Sequence, residues 1–99
     1  MTYRISFAAS VAEHLAFLTA AERARVLDTI ERQLESEPTV ATRNRTPLRP
    51  NPLAPWELRV GALRVFYEAT PDEPDTVLVL AVGKKERSVL RIAGREIAL

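Results

Sequence analysis

Glu57, Arg59 and Arg64 fall close together in the chain, and Lys84, Lys85 and Arg87 follow as a second basic group. Guanidinium and ammonium groups this close repel one another, so such a set is usually built to hold an anion, often phosphate. Arginine binds phosphate oxygens as a bidentate fork and lysine supplies a point charge. Other chemistries are set aside by composition. The 99 residues include no cysteine, so there is no disulfide, thiol nucleophile or zinc–thiolate site, and a single histidine, His14, argues against a histidine-rich metal site. No metal and no small-molecule cofactor is expected.

The net charge is only +1, but it is unevenly spread. Residues 43–69 carry five arginines against Glu57 and Glu68, and residues 77–99 carry five basic groups against Glu86 and Glu96. Between them lie Asp72, Glu73 and Asp75, and residues 1–42 are net acidic. Two basic segments flanking a turn converge in space if their strands pair, which makes a local anion site.

The elements that must position these groups are legible from periodicity. "YRISF" (residues 3–7) alternates as a half-buried strand. Ser10 with Glu13, and Thr19 with Glu22, each have capping-box spacing and open two helices, the first "VAEHLAFLT", the second about 20–36 and stopped by Pro38. Val26, Ile30 and Leu34 form the second helix's apolar stripe, with Gln33 at its edge. Residues 37–55 hold five of the seven prolines and read as a stiff loop. Strands follow at about 56–60, 63–69 and 76–83, the first two joined by Gly61-Ala62 in a type II′ turn. "TVLVLAV" is apolar enough for a central strand buried on both faces. The segment 86–99 fits a short hairpin, an extended tail or, over 86–92, a helix; the extended tail is favoured. The expected fold class is α+β: a single domain over residues 1–99, ordered β-α-α-β-β-β, with a mostly antiparallel twisted sheet and an αα-hairpin packed on one face.

Strand alternation puts Glu57 and Arg59 on one face and Leu58 and Val60 on the other. It likewise puts Arg64 with Phe66 and Glu68, and Val65 with Tyr67. Arg59 and Arg64 therefore meet across the hairpin, on an open face away from the helices, with Lys85 and also Arg87 and Arg91 expected beside them. Two readings of this cluster stand. It is a phosphate site, or it is a solvated strand face whose arginines pair with Glu57, Glu68 and Glu86 and contribute little. His14 reads as a packed or edge histidine rather than a catalyst. Trp56 and Tyr67 read as core residues rather than base-stacking platforms.

The stretches "PLRPNPLAPWELRVGALRVFYEA" and "VLVLAVGKKERS" resemble the RelE/ParE superfamily of bacterial toxins from type II toxin–antitoxin pairs, with "VGKKERS" similar to the RelE branch. That resemblance covers most of the chain. It implies a cytoplasmic, ribosome-dependent mRNA endoribonuclease that needs no metal, because the ribose 2′-oxygen attacks the adjacent phosphate. It implies that Arg64 holds the scissile phosphate, that Lys85 is a second cation there, and that Arg59 stands at a lysine-type position on the preceding strand. Glu57 falls where the family often has a basic residue and is the candidate general base. Lys84, Arg87, Arg91 and Arg49 are the expected RNA-binding residues. The family's late tyrosine falls at Arg91, and no tyrosine follows Tyr67. The implied partners are the mRNA on the ribosome and a cognate antitoxin, acidic and partly disordered when free; no membrane partner is expected. The alternatives are a ParE-like gyrase poison and a catalytically degenerate member that still binds antitoxin.

Overall fold

The computed structural model describes residues 2–69 and 75–99. Its elements are β1 (Arg4–Phe7), α1 (Val11–Ala16), α2 (Ala20–Leu34), β2 (Arg45–Pro47), β3 (Trp56–Val60), β4 (Leu63–Ala69), β5 (Thr76–Glu86), β6 (Val89–Ile92) and β7 (Arg95–Ile97). The expected α+β architecture is present, with β2, β6 and β7 added to the anticipated order. Neighbours from β2 to β7 pair antiparallel in sequence order, and β1 pairs parallel to β5. Strand β5 is the centre. One edge pairs with β4; the other is shared, β1 pairing at 76–79 and β6 at 84–86.

Helix α2 starts where the sequence says it should. The Thr19 hydroxyl accepts from Glu22 N–H at 3.1 Å, and the Glu22 carboxylate accepts from Thr19 N–H at 2.9 Å. The expected box at Ser10 does not form. Ser10 is itself in the helical region (φ −67°, ψ −17°), so its hydroxyl lacks the extended backbone that aims a cap at free amides.

Val26, Ile30 and Leu34 pack on Leu58, Val60, Val65, Tyr67, Val77, Val79 and Val82, all buried. Burying each such side chain stabilises by roughly 1.5–3 kcal/mol. Tyr67 and Trp56 are packing residues, as expected. The Tyr67 hydroxyl donates to the Pro38 carbonyl at 2.6 Å, and the two rings stack with centroids 6.2 Å apart.

The other face was expected to be open, and only part of it is. Phe66, Ala81, Leu90 and Ile92 form a second buried cluster with Ala54, flanked by Leu48, Leu53, Leu80 and Ile97. Two features build it. The proline-rich segment folds back on β3, where Asn51 bonds the backbone of Arg49, Leu53 and Ala54. The C-terminus continues the sheet instead of trailing from it: β6 and β7 are joined to their neighbours by the two-residue turns Arg87-Ser88 and Ala93-Gly94, all four residues at positive φ. Gly83 makes room for this. A Cβ there would lie 2.7 Å from the Arg91 carbonyl oxygen and 2.8 Å from Ile92 Cγ1.

The expected loop over 37–55 hides β2. Arg45 on β2 is buried, donating to the Gln33 carbonyl at 2.7 Å and to the Val40 carbonyl at 3.2 Å, which ties the loop to the end of α2. Of the acidic turn, residues 72–74 lie outside the described residues. Among the described residues no helix is long and apolar enough to cross a membrane.

Candidate nucleic-acid interface

The hairpin register sets Arg59 opposite Arg64, and the next register sets Arg64 opposite Gly83. Lys85, two residues beyond Gly83, lies on the same face and diagonal to Arg64. The β3–β4 turn is of the expected type by sign, with Gly61 at φ +60° and Ala62 not at positive φ.

Like charges directly opposite on paired strands repel. Glu57 offsets this: its Oε1 is 3.4 Å from Arg59 Nε and 3.9 Å from Arg64 Nε. The three side chains differ in access. Arg59 is 53 % exposed, while Glu57 and Arg64 are 13 % and 12 %. Arg64 was expected to be freely exposed; it is mostly covered because its head folds over the turn, where Nη1 donates to the carbonyls of Gly61 at 2.6 Å and Leu63 at 2.9 Å. The guanidinium is thus fixed at one end before any ligand arrives.

Two of the expected RNA-binding residues come out on the other side. Lys84 shares a face with Val82, towards the helices, and its Nζ lies 2.8 Å from Glu22 Oε2. Glu22 is held below the usual carboxylate range, first by that lysine and then by the Thr19 amide, and Lys84 is raised in turn by Glu22. Arg91 pairs with Lys84 across β5–β6 and lines a small cavity with His14, Phe17, Lys84 and Glu86. The physical reason is the strand that replaced the tail. Pairing fixes the alternation, so Arg91 must face the same way as Lys84, and Leu90 and Ile92 the same way as Lys85. Arg87 is exposed at the β5–β6 turn. Arg49 is exposed on the proline-rich loop, at an open groove of about 410 Å³ also lined by Leu48, Leu53, Glu68 and Leu80.

Sequence reasoning passed over Arg95. It pairs with Ile92, and extending the β5–β6 register by one residue sets Ile92 beside Gly83, whose added Cβ would lie 2.8 Å from Ile92 Cγ1, so Arg59, Arg64, Gly83, Ile92 and Arg95 fall in one row across five strands. With strands about 4.8 Å apart, Arg95 stands about 14 Å from Arg64. The signal was "AG" between two short apolar pairs, a hairpin turn that fixes Arg95 opposite Ile92. Arg25 was also missed; its guanidinium lies against Gly61 from the helix side, 2.8 Å from where a Cβ would be.

His14 serves the fold. Its Nδ1 accepts from Val82 N–H at 3.2 Å, in the stretch of β5 between the parts paired with β1 and β6. Desolvation lowers its pKa, with Glu13 partly opposing. Tyr67 does not stand in for the late tyrosine. Burial pushes its phenol up to about 12, Arg45 opposing weakly, and its proton is committed to Pro38.

The helical hairpin thus covers one face of the antiparallel sheet, and Arg59, Arg64 and Lys85 lie on the other. No protein-family model and no curated protein matches the chain. Solved structures do. The toxin–antitoxin complex RelBE2 from Mycobacterium tuberculosis matches with a TM-score of 0.72 and 27 % identity, over 86 % of this chain and 93 % of that one. The archaeal RelE–RelB complex from Pyrococcus horikoshii OT3 matches with a TM-score of 0.67 and 25 % identity, over 88 % and 99 %. The chain is a RelE-like toxin in fold, as its sequence resemblance implied.

Proposed function

We propose that this protein is the toxin of a type II toxin–antitoxin pair and that it cuts mRNA on the ribosome. The observation that carries the reading is the Arg59–Arg64 pair, two guanidinium groups opposed across β3 and β4 with Lys85 diagonal to them, on the face the helices leave free. In the proposed reaction the 2′-oxygen forms a bond to the adjacent phosphorus while the bond to the 5′-oxygen breaks. The products are a 2′,3′-cyclic phosphate and a 5′-hydroxyl. Arg64 and Arg59 bind the non-bridging oxygens, whose charge grows in the transition state. Glu57 accepts the 2′ proton, and Lys85 supplies charge or a proton to the leaving 5′-oxygen. An arginine is a poor acid, with a pKa above about 12, so Arg91 does not replace the missing tyrosine as donor; its placement beside Lys84 also separates it from Arg64.

The partner follows from the same face. Of the solved structures it resembles, one is the toxin–antitoxin complex RelBE2 and another a RelE–RelB complex. An acidic antitoxin, partly disordered when free, folds on this protein and covers Arg59, Arg64 and Lys85. Action on translated mRNA places the protein in the cytoplasm. The test is expression without a partner: growth stops, and transcripts are cut while being translated. Growth arrest with intact transcripts removes the ribonuclease reading, and arrest with lost gyrase supercoiling replaces it with topoisomerase poisoning.

A further inference from the structure

We propose that Glu57 is a built-in competitor for the phosphate seat, so that RNA enters only by displacing its carboxylate from Arg59 and Arg64. This rests on the proposed function and names how that site is regulated. The geometry is that of an occupied anion site. The carboxylate Oε1 lies 3.4 Å and 3.9 Å from the Nε atoms of two arginines that face each other across the hairpin. Arg59 Nε donates to that oxygen and Arg64 Nε lies within ion-pair distance of it, so a single acceptor sits between two guanidinium groups, as a phosphate oxygen would. Glu57 is mostly covered, whereas Arg59 is half in solvent. The carboxylate therefore holds the inner position and leaves the outer arginine to meet the ligand first.

The consequence is a threshold. With Glu57 in place the three groups sum to a single positive charge; without it they sum to two. An extra net positive charge neutralises about one more phosphate, and for single-stranded nucleic acid each phosphate neutralised contributes about 0.7 to the slope of log affinity against log salt. Free RNA, which brings a floppy phosphate, competes poorly with a carboxylate tethered on the same strand as Arg59. RNA held by a larger assembly brings its phosphate pre-oriented and displaces it. Once displaced, the same carboxylate lies next to the phosphate it gave way to, where it can take the 2′ proton. Glu57 then has one role before the reaction and another during it, and the two separate experimentally, because binding needs no proton transfer.

The experiment uses the full-length protein and a short single-stranded RNA with a 2′-O-methyl sugar at each position, which caps the attacking oxygen and blocks cleavage, with affinity measured between about 50 and about 200 mM salt. Glu57→Gln, which keeps the shape and removes the charge, is compared with wild type, with Glu57→Gln/Arg64→Ala, and with Glu31→Gln, an exposed carboxylate on α2 that controls for net charge. The expected result is tighter binding by Glu57→Gln, a salt slope steeper by about 0.7, and hence an advantage over wild type that shrinks about 2.6-fold across that range. The gain is absent in the double variant and in Glu31→Gln. If Glu57 only braces the arginines, its removal lets them scatter and binding weakens; that result, or an equal gain in Glu31→Gln or the double variant, overturns the inference. The failures are distinguishable: Arg64-dependent binding with no gain in Glu57→Gln, or no binding by any variant, overturns only the competitor role, while binding that is indifferent to the loss of Arg64 in the Glu57→Gln background overturns the phosphate seat of the proposed function as well.

Discussion

Arg64→Ala removes the inner guanidinium of the proposed phosphate seat, and the structure separates its cost to activity from its cost to the fold. On the fold side, the arginine donates to the carbonyls of Gly61 and Leu63 at a turn. Gly61 is exposed, so water replaces the bond to its carbonyl, and the net loss is about 1 kcal/mol. In a domain of this size that lowers Tm by roughly 4–8 °C. On the activity side, a charge-assisted contact that strengthens as the phosphorane forms is worth about 2–4 kcal/mol, which is about a 30- to 900-fold drop in kcat/KM. The variant also leaves Glu57 paired with Arg59 alone, so the seat has no net charge and the loss belongs at the upper end of that range. The assay is single-turnover cleavage of a translated message at fixed ribosome concentration, with circular dichroism and a thermal melt on the same preparation. A folded Arg64→Ala protein that cleaves within a few-fold of wild type refutes the placement of the phosphate at Arg64.

Three further outcomes follow from the fold. Gly83→Ala drives a Cβ into the Arg91 carbonyl and Ile92, neither able to yield without parting β5 from β6, so it destabilises by about 1–3 kcal/mol and raises hydrogen exchange over 84–97 first; unchanged exchange there contradicts the packing of β6. Thr19→Ala loses the cap of α2 and costs about 1 kcal/mol in a denaturant titration, whereas Ser10→Ala, whose hydroxyl caps nothing, has little effect. Acid destabilises the protein in a window set by His14: its folded pKa is below the ordinary 6.5, so its contribution is fully present above about pH 6.5 and is lost as pH falls through the folded value. His14→Asn, which keeps an acceptor for the Val82 amide but does not titrate, flattens stability against pH in that window; an unchanged profile assigns the loss to other groups.

Much of this fold is written in local pattern. Thr19 and Glu22, the Val26–Ile30–Leu34 stripe and Gly61-Ala62 each act through neighbours a few residues away, so spacing alone locates α2 and the β3–β4 hairpin. Alternation then fixes which side Glu57, Arg59 and Arg64 take. What pattern missed is settled at long range. Strand β2 is three residues among prolines, held by Arg45 reaching back to Gln33. Strands β6 and β7 turn on Arg87, Ser88 and Ala93 at positive φ, a conformation that non-glycine residues seldom signal. That omission put Arg91 on the wrong face and hid Arg95, because a strand's register decides every side chain's direction at once. The coverage of Arg64 was invisible for a related reason: it depends on where the guanidinium folds after the turn closes.

The most direct measurement adds purified protein to a reconstituted translation reaction and maps the ends of the message with and without ribosomes loaded on it. Cuts are expected only in translated RNA, leaving 2′,3′-cyclic phosphate and 5′-hydroxyl ends, and are lost in folded Arg64→Ala. A message that stays intact while ribosomes translate it in the presence of wild-type protein contradicts the account, and so do cuts that Arg64→Ala makes equally well.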